Sequence, residues 1–321
     1  MKQGNIISWL HSPQQPEGGR RSYYDRHARD VNLRAITSCS ENENVIRKLR
    51  NNDLKDKELV IKDEDGYGVN DFVIDEDDDI GWLGYFIGES ETLQKLTLYY
   101  WPDENERVDA AAFARGICRN QSVQMFRLHC SEALQHIILF RNNTNLTDLS
   151  LHCNIGREVA HSLALALGKM PLKLFCMEDN DLDDDSFAEI IAALSSQTQL
   201  EQLHVLFNTI GRRGCEAQGD LLVRWRSKNL KELILSHNHI DDVGLRFLVP
   251  GISECSNLRW LSLAGNTLVS SAGLRSLFED AVICNLERLS LNHIMNITED
   301  LDHLVWGLPN FKSLQHLELM G

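Results

Sequence analysis

Residues 230–268 read LKELILSHNHIDDVGLRFLVPGISECSNLRWLSLAGNTL, and the same pattern occurs in them twice. Leu230, Leu233, Leu235 and Asn238, followed by Ile240, are repeated as Leu258, Leu261, Leu263 and Asn266, followed by Leu268. Apolar residues at period two predict a strand. Between the copies Ile240, Val243, Leu245, Leu248 and Ile252 fall at helical spacing, so each unit carries one strand and one helix.

Working outward, the pattern returns along most of the chain. Leu200-Leu203-Val205-Asn208 and Leu172-Phe175-Met177-Asn180 keep the spacing, and Leu146-Leu149-Leu151-Asn154, Val123-Phe126-Leu128, Leu93-Leu96-Leu98, Leu286-Leu289-Leu291 and Leu314-Leu317-Leu319 keep most of it. A degenerate first copy centres on Leu59 and Ile61. The third apolar residues fall at 61, 98, 128, 151, 177, 205, 235, 263, 291 and 319, irregular at first and then spaced by 28 to 30. A strand with two or three inward leucines cannot bury its apolar face alone, whereas stacked copies share one core and one parallel sheet. The asparagine turns the chain, and its amide can bond backbone groups that the turn leaves unpaired. Asp241, Asp242 and Asp183 to Asp185 precede or open the helices, where negative charge favours the N-terminus.

These residues resemble the leucine-rich repeat family, and the period with a helical outer side looks like its ribonuclease-inhibitor-like subclass. The resemblance covers roughly residues 45–321 and implies an α/β horseshoe with a parallel sheet on the concave face and helices on the convex face. Ile294 and Ser131 stand where asparagine is expected.

Three parts are expected: a flexible tail over residues 1–30, a helical N-terminal cap over 31–55, and a solenoid of about ten repeats over 56–321 that ends without a C-terminal cap. Residues 44–62 look like the helix and first strand that cap tropomodulin and its relatives. The formal net charge of −15 argues against nucleic acid and anionic membranes as partners and favours a basic protein. Apolar runs are too short for a signal peptide core or a spanning helix, and eight scattered cysteines fit a reducing compartment, cytoplasmic or nuclear.

Searches for local chemistry find no P-loop, dinucleotide, zincin, nucleophile-elbow or CxxC pattern, so no enzyme and no cofactor is expected. Residues 75–79 (DEDDD) read as a solvated loop or as a lure for a basic partner. The 63–66 stretch (DEDG) reads as an acidic turn, because Ile61 and Phe72 would occupy the outer ligand positions of a calcium loop. The segment with Arg212, Arg213, Trp225 and Lys231 reads as a solvated outer helix.

The outward residues of neighbouring strands form columns on the concave face. Tyr99, Tyr100, His129, His152, Glu178, Phe207, His237 and Trp260 are the expected contacts for a protein partner, since aromatic residues anchor interfaces. His129, His152, Cys130, Cys153, Cys176, Glu178 and His204 also fall together, but they lack metal-ligand spacing, and no metal is expected. The expected function is a non-catalytic protein-binding scaffold. The alternatives are a regulator of a small GTPase, similar to the GTPase-activating protein for Ran, or a tropomodulin-like actin-associated protein.

Overall fold

The computed structural model describes residues 23–63, 68, 70–102, 109–131, 133–134, 143–194, 199–225, 229–281, 285–294 and 307–320. Its strands are β1 (Glu58–Lys62), β2 (Asp71–Val73), β3 (Lys95–Leu98), β4 (Met125–Leu128), β5 (Asp148–Leu151), β6 (Leu174–Glu178), β7 (Gln202–Leu206), β8 (Glu232–Ile234), β9 (Trp260–Ser262), β10 (Arg288–Ser290) and β11 (His316–Glu318). Its helices are α1 (Tyr23–His27), α2 (Ser40–Arg50), α3 (Ile80–Glu89), α4 (Ala110–Arg119), α5 (Arg157–Leu167), α6 (Asp184–Ala193), α7 (Arg212–Trp225), α8 (Asp242–Ser253) and α9 (Ser271–Asp280). Among the described residues all strand pairings are parallel, in one 11-stranded sheet ordered β11 to β3, then β1, then β2. The fold is an α/β solenoid in which each strand but β2 carries the leucine pattern.

The leucines sit where the pattern puts them. Leu203, Leu233, Leu261 and Leu289 are in register across β7 to β10 and are buried under the helices. The core is one continuous cluster running from Leu33 to Phe311. Among the described residues, no helix is long and apolar enough to cross a membrane.

The motif asparagines form a buried ladder. The Nδ2 of Asn180, Asn208, Asn238 and Asn266 donate to the carbonyls of Leu151, Met177, Val205 and Leu235 in the preceding repeat, at 3.0, 3.1, 2.8 and 2.9 Å. Their Oδ1 atoms accept from the amides of Cys153, Leu182, Ile210 and Ile240. Each side chain thus satisfies both kinds of backbone group in a turn that water does not reach. Asn154 stands at the same motif position but is exposed. A second set was not read from the motif. Asn120 donates to the carbonyls of Ile87 (2.7 Å) and Ser90 (3.0 Å) and accepts from the amides of Ser122 and Val123, holding the turn from α4 into β4. Asn143 does the same before β5, accepting from Asn145 and Leu146.

The N-terminal end departs from the sequence reading in three ways. First, β2 adds a strand outside β1, which accounts for the long interval between Ile61 and Leu98; its Phe72 is fully buried. Three residues without the leucine pattern gave no signal. Second, α1 falls within the stretch expected as a tail, and its Tyr24 packs on Trp82 and Tyr85 of α3, with ring centroids 4.8 and 5.9 Å apart. Residues 1–22 lie outside the described residues. Third, the acidic 75–79 stretch is partly internal scaffolding. Asp78 is 2% exposed and accepts from the Ser38 amide (2.7 Å), Asn42 Nδ2 (2.9 Å) and the Asp75 amide (2.9 Å), tying α2 to the start of α3. Burial raises its pKa. Asp79 caps α3 through the Trp82 amide. Only Asp75, Glu76 and Asp77 of that stretch are exposed.

Elsewhere the outer helices carry the expected caps, Asp183 accepting from Ser186 at 2.8 Å and Asp241 from Gly244 at 2.9 Å. The basic segment is solvated and paired, Arg212 to Asp241 at 2.6 Å and Arg213 to Asp185 at 2.9 Å, while Arg226 and Lys228 lie outside the described residues. Of the 63–66 stretch, only Asp63 is described.

Candidate concave binding site

Regular stacking carries the fifth residue of each motif into one row. Thr97, Arg127, Ser150, Cys176, His204, Ile234, Ser262 and Ser290 are paired strand by strand. Two residues further along each chain a second row faces the same side, because side chains alternate across a strand. Its first three members are rings. Tyr99 stacks on His129 with centroids 4.3 Å apart and planes 15° from parallel, and His129 stacks on His152 at 4.5 Å and 8°. Glu178 ends this run, its Oε2 lying 3.4 Å from His152 Nδ1.

The two rows form the floor of a cavity of about 840 Å³. Tyr99, His129, His152 and Glu178 of the expected contacts line it, together with Arg127, Cys176 and His204. At its far side Glu58, Val60 and Lys62 of β1 and Asp71 of β2 complete the wall, with Lys62 Nζ 2.6 Å from Asp71 Oδ2. Sequence reasoning missed this wall because β2 was unread. Its one available signal was the length of the first interval.

Ionisation in the cavity is set mainly by burial. It pushes His129 down to about 4, with His152 and Arg127 adding to the effect. His152 is lowered by burial against the opposing pull of Glu178, and His204 is lowered although Glu232 Oε2 lies 3.2 Å from its Nε2. Burial pushes the Cys176 thiol up to about 12, Glu178 adding and Arg127 opposing. At neutral pH the imidazoles are therefore uncharged and the thiol protonated.

The remaining expected contacts lie elsewhere. Phe207 and His237 form a separate stack at the strand exits, with centroids 4.3 Å apart and planes 7° from parallel. Asp179, Phe207, His237, Gly265 and His293 occupy the eighth motif position and all have positive φ, between 50° and 73°. Glycine is the residue at ease there, and on Gly265 a Cβ would collide with the His237 ring. Trp260 lies under the Arg288 guanidinium at 4.4 Å and 6.5 Å from the His204 ring. Tyr100 is half-buried beyond β3. Cys130 and Cys153 are 7% and 6% exposed and belong to the core, where small apolar side chains fit.

No family model matches the chain. It is 28% identical over 213 residues to the mouse NACHT, LRR and PYD domains-containing protein 5, a match covering 63% of this chain and 18% of that protein. It is 30% identical over 158 residues to the human PRAME family member 10, covering 48% of this chain and 32% of the relative. The matched part is therefore less than a third of either curated relative. Among solved structures, a chain of the yeast Rad7 and Elc1 complex aligns over 91% of this chain and 84% of its own length, with 10% identity and a TM-score of 0.39.

Proposed function

We propose that this chain is a non-catalytic scaffold whose concave face binds a protein partner rich in basic side chains. The observation that carries the reading is Phe207. It is 47% exposed and holds φ at 50°, a conformation that costs a bulky residue about 1–2 kcal/mol. One face of the ring stacks on His237, and the remaining exposed area is what a partner would contact. Tyr99, 50% exposed, heads the other stack and offers a second ring. Ring faces attract lysine and arginine, and the net charge of −15 favours the approach of a basic partner. The lack of catalytic motifs in the sequence supports a binding role. Spacings of 28 to 30 residues with α-helices outside support the ribonuclease-inhibitor-like subclass. The free cysteines support action in a reducing compartment, cytoplasmic or nuclear.

The test is affinity capture with the intact chain beside a variant carrying Tyr99→Ala, Phe207→Gly and Trp260→Ala, both first shown to be folded by circular dichroism. A partner retained by the first, lost by the second and released as salt rises is the expected result. Partners bound equally by both would overturn the concave site.

A further inference from the structure

We propose that the floor of the concave cavity holds a zinc ion through His152, Cys176 and Glu178, with the fourth position open to the cavity. The ligand atoms these three residues offer lie within 4.8 Å of one another. A single row of a sheet cannot surround an ion, since its side chains stand side by side. Here the donors come from two rows. Cys176 and Glu178 are alternate residues of β6 and so share its concave side, while His152 follows β5, the neighbouring strand. The three side chains therefore bound a triangle.

Its dimensions fit. Zinc bonds of about 2.0–2.3 Å at tetrahedral angles keep ligand atoms about 3.3–3.7 Å apart. His152 Nδ1 and Glu178 Oε2 are 3.4 Å apart, too long for a good hydrogen bond and right for two ligands of one ion. Separations of up to 4.8 Å require the side chains to close on the ion. The stacked His129 ring holds the plane of the His152 imidazole, the orienting role that outer partners play around metal ligands.

The donor set selects the metal class. A thiol and an imidazole beside one carboxylate suit zinc, whereas calcium and magnesium take oxygen donors. Binding exchanges the Cys176 S–H bond for an S–Zn bond, and the proton leaves to solvent. Three protein ligands leave one tetrahedral position, which faces the cavity and is filled by water or by a side chain of a bound partner.

The inference goes beyond the scaffold reading, because the isolated chain binds zinc with no partner present. The experiment adds Co²⁺ to the metal-free 321-residue chain as a spectroscopic stand-in, then displaces it with Zn²⁺ against a chromophoric chelator. The expected result is one equivalent bound with a thiolate-to-cobalt charge-transfer band. Cys176→Ser abolishes that band, and His152→Ala weakens zinc by more than about 100-fold, since even outer partners are worth about 10–100-fold. Cys215→Ser, at a buried position of α7 beside α8, leaves both readouts unchanged. Glu178→Gln keeps the band but weakens zinc, and serves as the second variant if Cys176→Ser does not fold. Absence of the band in the wild-type chain, or a band that survives Cys176→Ser, overturns the proposal.

Discussion

From β6 to β9 the solenoid closes its turns at the strand exits, through Asn180, Asn208, Asn238 and Asn266, each reaching back to the repeat before. Between α3 and β5 the buried asparagines are at the opposite end, Asn120 and Asn143 bracing the turns that lead into β4 and β5. At the strand exits of that region stand Cys130 and Cys153 instead, and Asn154 is turned to solvent. Both regions bury polar side chains that bond backbone in both directions, so the constraint is satisfaction of the turn and not the location of the amide. Moving the asparagine away from the exits coincides with histidines and Tyr99 at the seventh position, and with the cavity.

The comparison breaks most directly at the asparagines. Asn238→Leu leaves the Val205 carbonyl and the Ile210 amide without their side-chain partner, and Asn120→Leu removes the acceptor of the Ser122 and Val123 amides and one of the two donors to the Ile87 carbonyl. Each is expected to lose about 4 kcal/mol in denaturant unfolding, while Asn154→Leu changes stability by less than about 0.5 kcal/mol. A costly Asn154 or a silent Asn120 would undo the equivalence of the two sets.

Next in size is helix contact. A Cβ on Gly116 would collide with the Gly84 carbonyl, and one on Gly219 with the Phe247 carbonyl, so α3 meets α4, and α7 meets α8, backbone to backbone. Gly116→Val and Gly219→Val should each cost about 3 kcal/mol, measured by thermal melts, since two helices must separate to admit the side chain.

A smaller effect, with a pH signature, belongs to the caps. The amide of Ser186 bonds Asp183 and lowers its pKa below 3.8. The stabilisation is therefore present above the unfolded value and is lost as pH falls below it. Asp183→Ala should cost about 1 kcal/mol at pH 7, and the difference from wild type should shrink below about pH 3.8. The smallest effect has the opposite sign: Phe207→Gly should stabilise the fold by up to about 1 kcal/mol while abolishing capture of the partner. A destabilised glycine variant would mean the ring serves packing after all.

Repeat identity, strand register and the motif asparagines were legible because their spacing is set by a sheet whose strands must stay in phase. β2 was not, since Asp71, Phe72 and Val73 pair only at the edge and need no leucine triplet. Asn120 and Asn143 lie outside the leucine motif, and their role depends on where α4 and the turn before β5 end. The concave columns could be counted from the motif. That count already put His152, Cys176 and Glu178 near one another, but the 4.8 Å within which their ligand atoms lie depends on distances between rows, which need the strands in place.

The glycine contacts also shape the arc of the solenoid. Strands on the inner side are spaced about 4.8 Å apart and helices on the outer side usually about 8–10 Å, so each repeat is a wedge whose angle grows with that difference. Where Gly84 meets Gly116, and Gly219 meets Gly251, the outer spacing shrinks and the wedge narrows. By that geometry such joints flatten the arc, and a flatter arc widens the span available to an elongated ligand lying across the inner side.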